Sequence, residues 1–149
     1  NLQILRLCDA LSADDTQDYA PPEDRAMAPH ARALFISDFL GPFEPLERAL
    51  SKAADRGVHG VLLQVLDPAE ERFPFAGRTR FESVSGALSH ETLKAASLRD
   101  EYLRRLAERR DALDRLCRAA GWRMGQHHCD DPALVALMWL YHAMDRGQT

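Results

Sequence analysis

A three-layer α/β fold, with a mostly parallel sheet and helices on both faces, follows from three features of this 149-residue chain. The stretches "ALFIS" (33–37) and "VHGVLLQVLD" (58–67) are almost continuously apolar, as strands buried on both faces are. Between them, apolar residues recur at helical spacing. Strand, helix and strand therefore fall within about thirty residues as a βαβ unit, whose crossover is right-handed by rule. The rest of the chain continues the alternation, in the order α-β-α-β-(β)-α-β-α with no internal repeat.

Each element has its own signal. Ile4, Leu7, Cys8 and Leu11 stand at i, i+3, i+4 and i+7, which predicts an amphipathic helix over 2–12. The chain begins inside that stripe without a Met, and is expected to be the C-terminal portion of a longer domain. Residues 12–29 are acidic and hold three prolines, so a mobile surface loop is expected there. The first strand spans 32–37. Pro45 fits the first turn of the next helix, Leu46, Ala49, Leu50 and Ala53 give its core stripe, and Gly57 ends it. After the strand at 58–67, Thr79, Phe81 and Ser83 alternate as in a short edge strand or ribbon. The longest helix is read over 91–120, with Leu98, Tyr102, Leu106, Leu113, Leu116, Cys117 and Ala120 inward and Gly121 closing it. A more polar strand follows at 122–128. Asp131 and Pro132 then open a last helix, expected to face inward with Leu134, Val135, Met138 and Tyr141.

Bulk properties exclude several function classes. The length fits a single domain, and 46% apolar with 28% charged residues is ordinary for a globular chain. A net charge of −4 provides no global attraction to nucleic acid or to an acidic membrane. Three scattered cysteines make no disulfide framework and point to a reducing cytoplasm. The apolar run 132–144 is too short to span a bilayer, and the opening has neither the basic lead nor the cleavage site of a secretory signal.

In an open parallel sheet, ligands sit beyond the carboxyl ends of the strands. Asp38 and Asp67 each end a strand there, with Ser37 alongside, so oxygen ligands for a hard cation are one reading. The other is that each carboxylate accepts backbone N–H bonds in its own turn. A metal-assisted hydrolase using Asp38 and Asp67 is a second functional class, but no third residue has a matching role as base or nucleophile. His127 and His128 are adjacent on a strand and point to opposite faces, so they do not share an ion, and spaced zinc-ligand pairs are absent. Cys117 falls on a helix core face and Cys129 lacks an activating partner. No nucleophile elbow, P-loop or dinucleotide fingerprint occurs. The arginines of the long helix are offset by Glu101–Arg105, Asp111–Arg115 and Asp114–Arg118 at i, i+4, the mark of a self-paired solvated face. "ERFPFAGR" (71–78) is an aromatic loop, either a partner surface or a loop anchored by Phe73 and Phe75.

"ALFISDFLGPFEPLERAL", "GVLLQVLDPAEERFPFAGRTRFE", "LRDEYLRRLAERRDAL" and "GWRMGQHHCDDP" together resemble the C-terminal half of domain-of-unknown-function family 58, over nearly all the chain from Arg32 onward. The resemblance implies a bacterial protein with a partial von Willebrand factor type A (Rossmann-like) fold. It also implies a protein-interaction module working with a MoxR-type AAA+ ATPase in assembling or maturing protein complexes. In type A domains the strand ending in "SD" supplies one ligand of an adhesion-type metal site, and Ser37-Asp38 matches it. That site's D-x-S-x-S loop occurs nowhere in these residues. Asp38 is therefore expected to be a metal ligand only with an upstream half, with Mg²⁺ in the longer protein and no cofactor here. The expected partner surface is the rim of Ser37, Asp38 and Asp67. An exposed sheet edge is also expected to allow a homodimer.

Overall fold

The computed structural model describes residues 3–6, 8, 22, 27–83 and 85–145. Residues 3–6 and 8 are helical, in line with the expected first helix. The other residues of the expected helix, and most of the expected 12–29 loop, lie outside the described residues.

Ten elements follow: β1 (Arg32–Ser37), α1 (Phe43–Asp55), β2 (His59–Leu66), a short α2 (Pro68–Arg72), β3 (Thr79–Glu82), β4 (Ser89–Thr92), a 3₁₀ turn (Ala95–Leu98), α3 (Arg99–Ala119), β5 (Arg123–His128) and α4 (Ala133–Asp145). The main sheet has the order β1-β2-β5, all parallel, with Ala33 opposite Gly60 and Leu63 opposite Gly125. Because side chains alternate along a strand, this register assigns each residue to a face. Ala33 and Leu62 share one face with Leu46, Leu50 and Ala53 of α1 and Leu113 and Cys117 of α3, and this is the main core. Both crossovers advance the same way across the sheet, so right-handed connections put both helices on that one side. The other face carries α4, giving the three α/β layers read from the sequence.

Each face has a tryptophan lying on a glycine. A Cβ on Gly60 would stand 2.3 Å from the Trp122 ring, and one on Gly125 would stand 2.4 Å from the Trp139 ring. Trp122 also donates its indole N–H to the Val58 carbonyl at 2.9 Å, which satisfies its polar atom inside the core.

The ends of α1 and α3 are as expected: Gly57 and Gly121 take positive φ just after them. Two expectations are corrected. The long helix begins at Arg99, not 91, because Ser89–Thr92 pairs antiparallel with Thr79–Glu82 to complete the ribbon. Gly86, at φ +72°, allows its tight turn, and Ser83 exchanges backbone and side-chain hydrogen bonds with Leu88 across it. The second correction concerns α4. Leu134, Val135, Met138 and Tyr141, expected inside, are 50–66% exposed, and Ala136, Trp139, Leu140 and Ala143 face the sheet instead. Small Ala136 and Ala143, together with Gly125 beneath Trp139, let the helix lie close on that side.

Candidate functional site

The carboxyl-end rim is built from the loops after β1 and β2. After β1 the chain turns sharply: Phe39 takes φ 55°, a left-handed conformation rare for a bulky residue. Local bonds hold it. The Ser37 hydroxyl accepts from Phe39 N–H at 3.1 Å, and Asp38 Oδ1 accepts from Leu40 N–H at 3.0 Å. Ser37 Oγ also donates to Asp38 Oδ1 at 3.3 Å. Longer-range bonds fix the loop to the body. Gln64, fully buried in the central strand, donates from Nε2 to the Asp38 carbonyl at 2.9 Å and is itself met by Gln126. Arg109 of α3 donates to the carbonyls of Leu40 and Gly41, and its guanidinium lies 5.2 Å from the centre of the Phe43 ring. The turn is therefore held from the sheet and from the helix layer at once.

Asp67 caps α2. Its Oδ1 accepts from Ala69 N–H at 2.7 Å, and Glu70 returns the bond to Asp67 N–H at 2.8 Å, a reciprocal capping box with Pro68 in the first turn. Asp38 and Asp67 thus each hold their own turn, and no bond joins them. Tyr102 links their surroundings: burial pushes its phenol up, and the carboxylates of Glu70 and Asp38 add to the shift.

Sequence reasoning missed a second polar cluster on this rim. Glu71 pairs with Arg110 of α3 and, at 2.7 Å, with Nε2 of His128 at the end of β5. Asp131 lies 3.6 Å from the other ring nitrogen. Burial pulls the Arg110 pKa down, and its Nε is buried without an acceptor. The cluster needs β2 and β5 side by side, with His128 on the α3 face, and no local motif in the sequence marks that. The register puts His127 opposite Val65 and His128 opposite Leu66, so the two histidines do point to opposite faces. Among the described residues no three His, Cys, Asp or Glu side chains converge as a cation site. The described residues do not by themselves fit the Mg²⁺ site that the resemblance implies.

The aromatic loop and the charged face of the long helix make contacts within the chain. Phe73, Phe75, Phe81 and Tyr102 form one aromatic cluster that seats the β3–β4 ribbon on α3. Glu101–Arg105 and Asp114–Arg118 pair as spaced, and Arg104 bridges Glu101 and Glu108. No helix among the described residues is long and apolar enough to cross a membrane.

Comparison with known proteins gives the chain its relatives. It is 33% identical over 108 residues to the uncharacterized protein MAV169 of Mycobacterium avium, an alignment covering 70% of this chain and 62% of that protein. The chain thus spans less than two thirds of that relative's length. No solved structure matches. The family described as "Protein of unknown function DUF58" matches residues 13–112, about two thirds of the chain, and this protein belongs to it.

Proposed function

We propose that the chain is a von Willebrand factor type A-like interaction module that presents Ser37, Asp38 and Asp67 to a protein partner, a MoxR-type AAA+ ATPase, in assembling or maturing protein complexes. The partner class comes from the family resemblance. The supporting observation is the left-handed turn at Phe39, held from two layers by Gln64 and Arg109. Strain of this kind persists only where the surroundings enforce it, and it is concentrated at functional sites. A turn held so firmly presents its exposed side chains with little ordering left to do on binding, which favours recognition.

The test separates the two roles of the carboxylates. Asn at 38 and 67 keeps an oxygen for Leu40 N–H and Ala69 N–H while removing the charge. Binding of the ATPase to the immobilised chain is measured for the parent and for the Asp38→Asn/Asp67→Asn double variant. A loss of ten-fold or more, with unchanged circular dichroism, is expected. Equal binding by both, or none by the parent, refutes the assignment.

A further inference from the structure

The helix α4 is apolar on two opposite sides. Ala136, Trp139, Leu140 and Ala143 lie on the sheet, while Leu134, Val135, Leu137, Met138 and Tyr141 occupy the outward arc. A helix apolar all round is normally buried all round. The sheet beside it has a matching gap. Leu34 and Ile36 of β1 pair in register with Val61 and Leu63 and so share their face. Val61 and Leu63 are covered, whereas Leu34 and Ile36 are 40% and 56% exposed. The strip of β1 is therefore open on the same side of the molecule as the outer face of α4.

These seven large apolar residues are each 40–66% exposed. They make a patch on the scale of one partner's share of a standard interface, roughly 800 Å², and larger than a typical monomer leaves uncovered. We propose that the occupant is a second copy of this chain. Two copies related by a two-fold axis stack face to face, so that α4 of each lies over β1 of the other. The two α4 helices then form one shared layer between two sheets. The patch is self-complementary, because each chain supplies one apolar helix face and one open strip of sheet. The contact is reciprocal, since Leu34 and Ile36 of one copy meet the outer arc of α4 in the other, and it closes at two copies. The strand-end rim with Asp38 and Asp67 lies outside this layer, so the assignment stands or falls separately from the proposed rim function.

Sedimentation velocity on the whole chain across a hundredfold dilution tests this. A dimer is expected. Ile36→Asp and Met138→Asp, on opposite halves of the contact, are each expected to weaken it by ~30-fold or more, the scale of a central apolar anchor, with circular dichroism unchanged. Leu93→Asp changes another exposed apolar residue, just past β4, and is expected to leave the dimer intact. A parent chain that is monomeric at every concentration overturns the proposal. So does a dimer that survives Met138→Asp, which would mean β1 edges pairing without α4. Slow amide exchange over 134–141 in a monomer also overturns it, since another segment would then cover the helix.

Discussion

Replacing Gly60 by Ala sets one methyl group against one indole. The new Cβ would stand 2.3 Å from Trp122 Cδ2 and 2.4 Å from Cε2 and Cε3. Ordinary carbon contacts are about 3.5–4.0 Å, so ring or strand must yield by more than ~1 Å. Neither has room. The ring is tied to the Val58 carbonyl, met edge-on by Phe35 at 5.3 Å, and belongs to the core with Leu50, Leu62 and Leu113. The strand is the central one, paired on both sides. Overpacking costs ~1–3 kcal/mol, whereas expelling the indole forfeits burial of roughly 200 Å², about 5 kcal/mol. The cheaper route governs, so a loss of about 3 kcal/mol is expected. For a chain of this length that lowers Tm by roughly 6–12 °C. Urea and thermal unfolding followed by circular dichroism measure it. Gly77→Ala is the control: it also changes a glycine, at φ +70°, but nothing lies within 4 Å of its Cβ, so it reports backbone strain alone, about 1 kcal/mol. A Gly60→Ala loss below ~0.5 kcal/mol would refute the claim that the tryptophan and the central strand hold each other in place.

Three further outcomes are expected. Arg109→Ala removes the helix-side restraint on the rim loop, so amide exchange of Phe39 and Leu40 should quicken about ten-fold, a local cost of ~1.4 kcal/mol; unchanged exchange means Gln64 alone holds the turn. Glu71→Gln strands the half-buried Arg110 guanidinium and should cost about 2 kcal/mol, most of it recovered by adding Arg110→Met; a double variant no better than the single one argues against the pair. Burial pushes the Cys117 thiol up to about 11, while an unfolded thiol titrates near ~8.5. Over that window the unfolded state binds fewer protons, so stability should fall as pH rises from ~8.5 to about 11. Cys117→Ala should flatten that slope, and exposed Cys129 should react with thiol reagents in the native state while Cys117 does not.

The strands and main core were legible because buried parallel strands announce themselves as apolar runs, and because Leu46, Leu50 and Ala53 leave no doubt about which side of α1 is inside. The inner face of α4 was not. Leu134, Val135, Met138 and Tyr141 recur at helical spacing, but so do Ala136, Trp139, Leu140 and Ala143, and periodicity has no phase on a helix apolar all round. What decided the matter was close approach: two alanines and a glycine admit the helix on one side only. β4 was hidden because "SHET" has no apolar alternation and exists through pairing with Thr79–Glu82. At the rim, turn roles for Asp38 and Asp67 were foreseeable from their places at strand ends. The Glu71–His128 contact was not, since it depends on which strands become neighbours. Arg109 was obscured as well, because it sits among arginines that pair with carboxylates on the same helix but turns instead to the carbonyls of Leu40 and Gly41.

The position of β2 between its two partners also sets an order of assembly. Its pairing with β1 spans only α1, whereas its pairing with β5 must wait for α2, the ribbon and the whole of α3. Closing the longer loop costs more chain entropy, so the β1–α1–β2 unit is expected to form first, both in refolding and as the chain leaves the ribosome. Until β5 arrives, the most apolar strand of the protein offers an unpaired edge. Its hazard therefore lies in time, in the interval between synthesis of Leu66 and of Arg123, and not on the finished surface. Pulse-labelled amide exchange would see it as protection reaching β1 before β5.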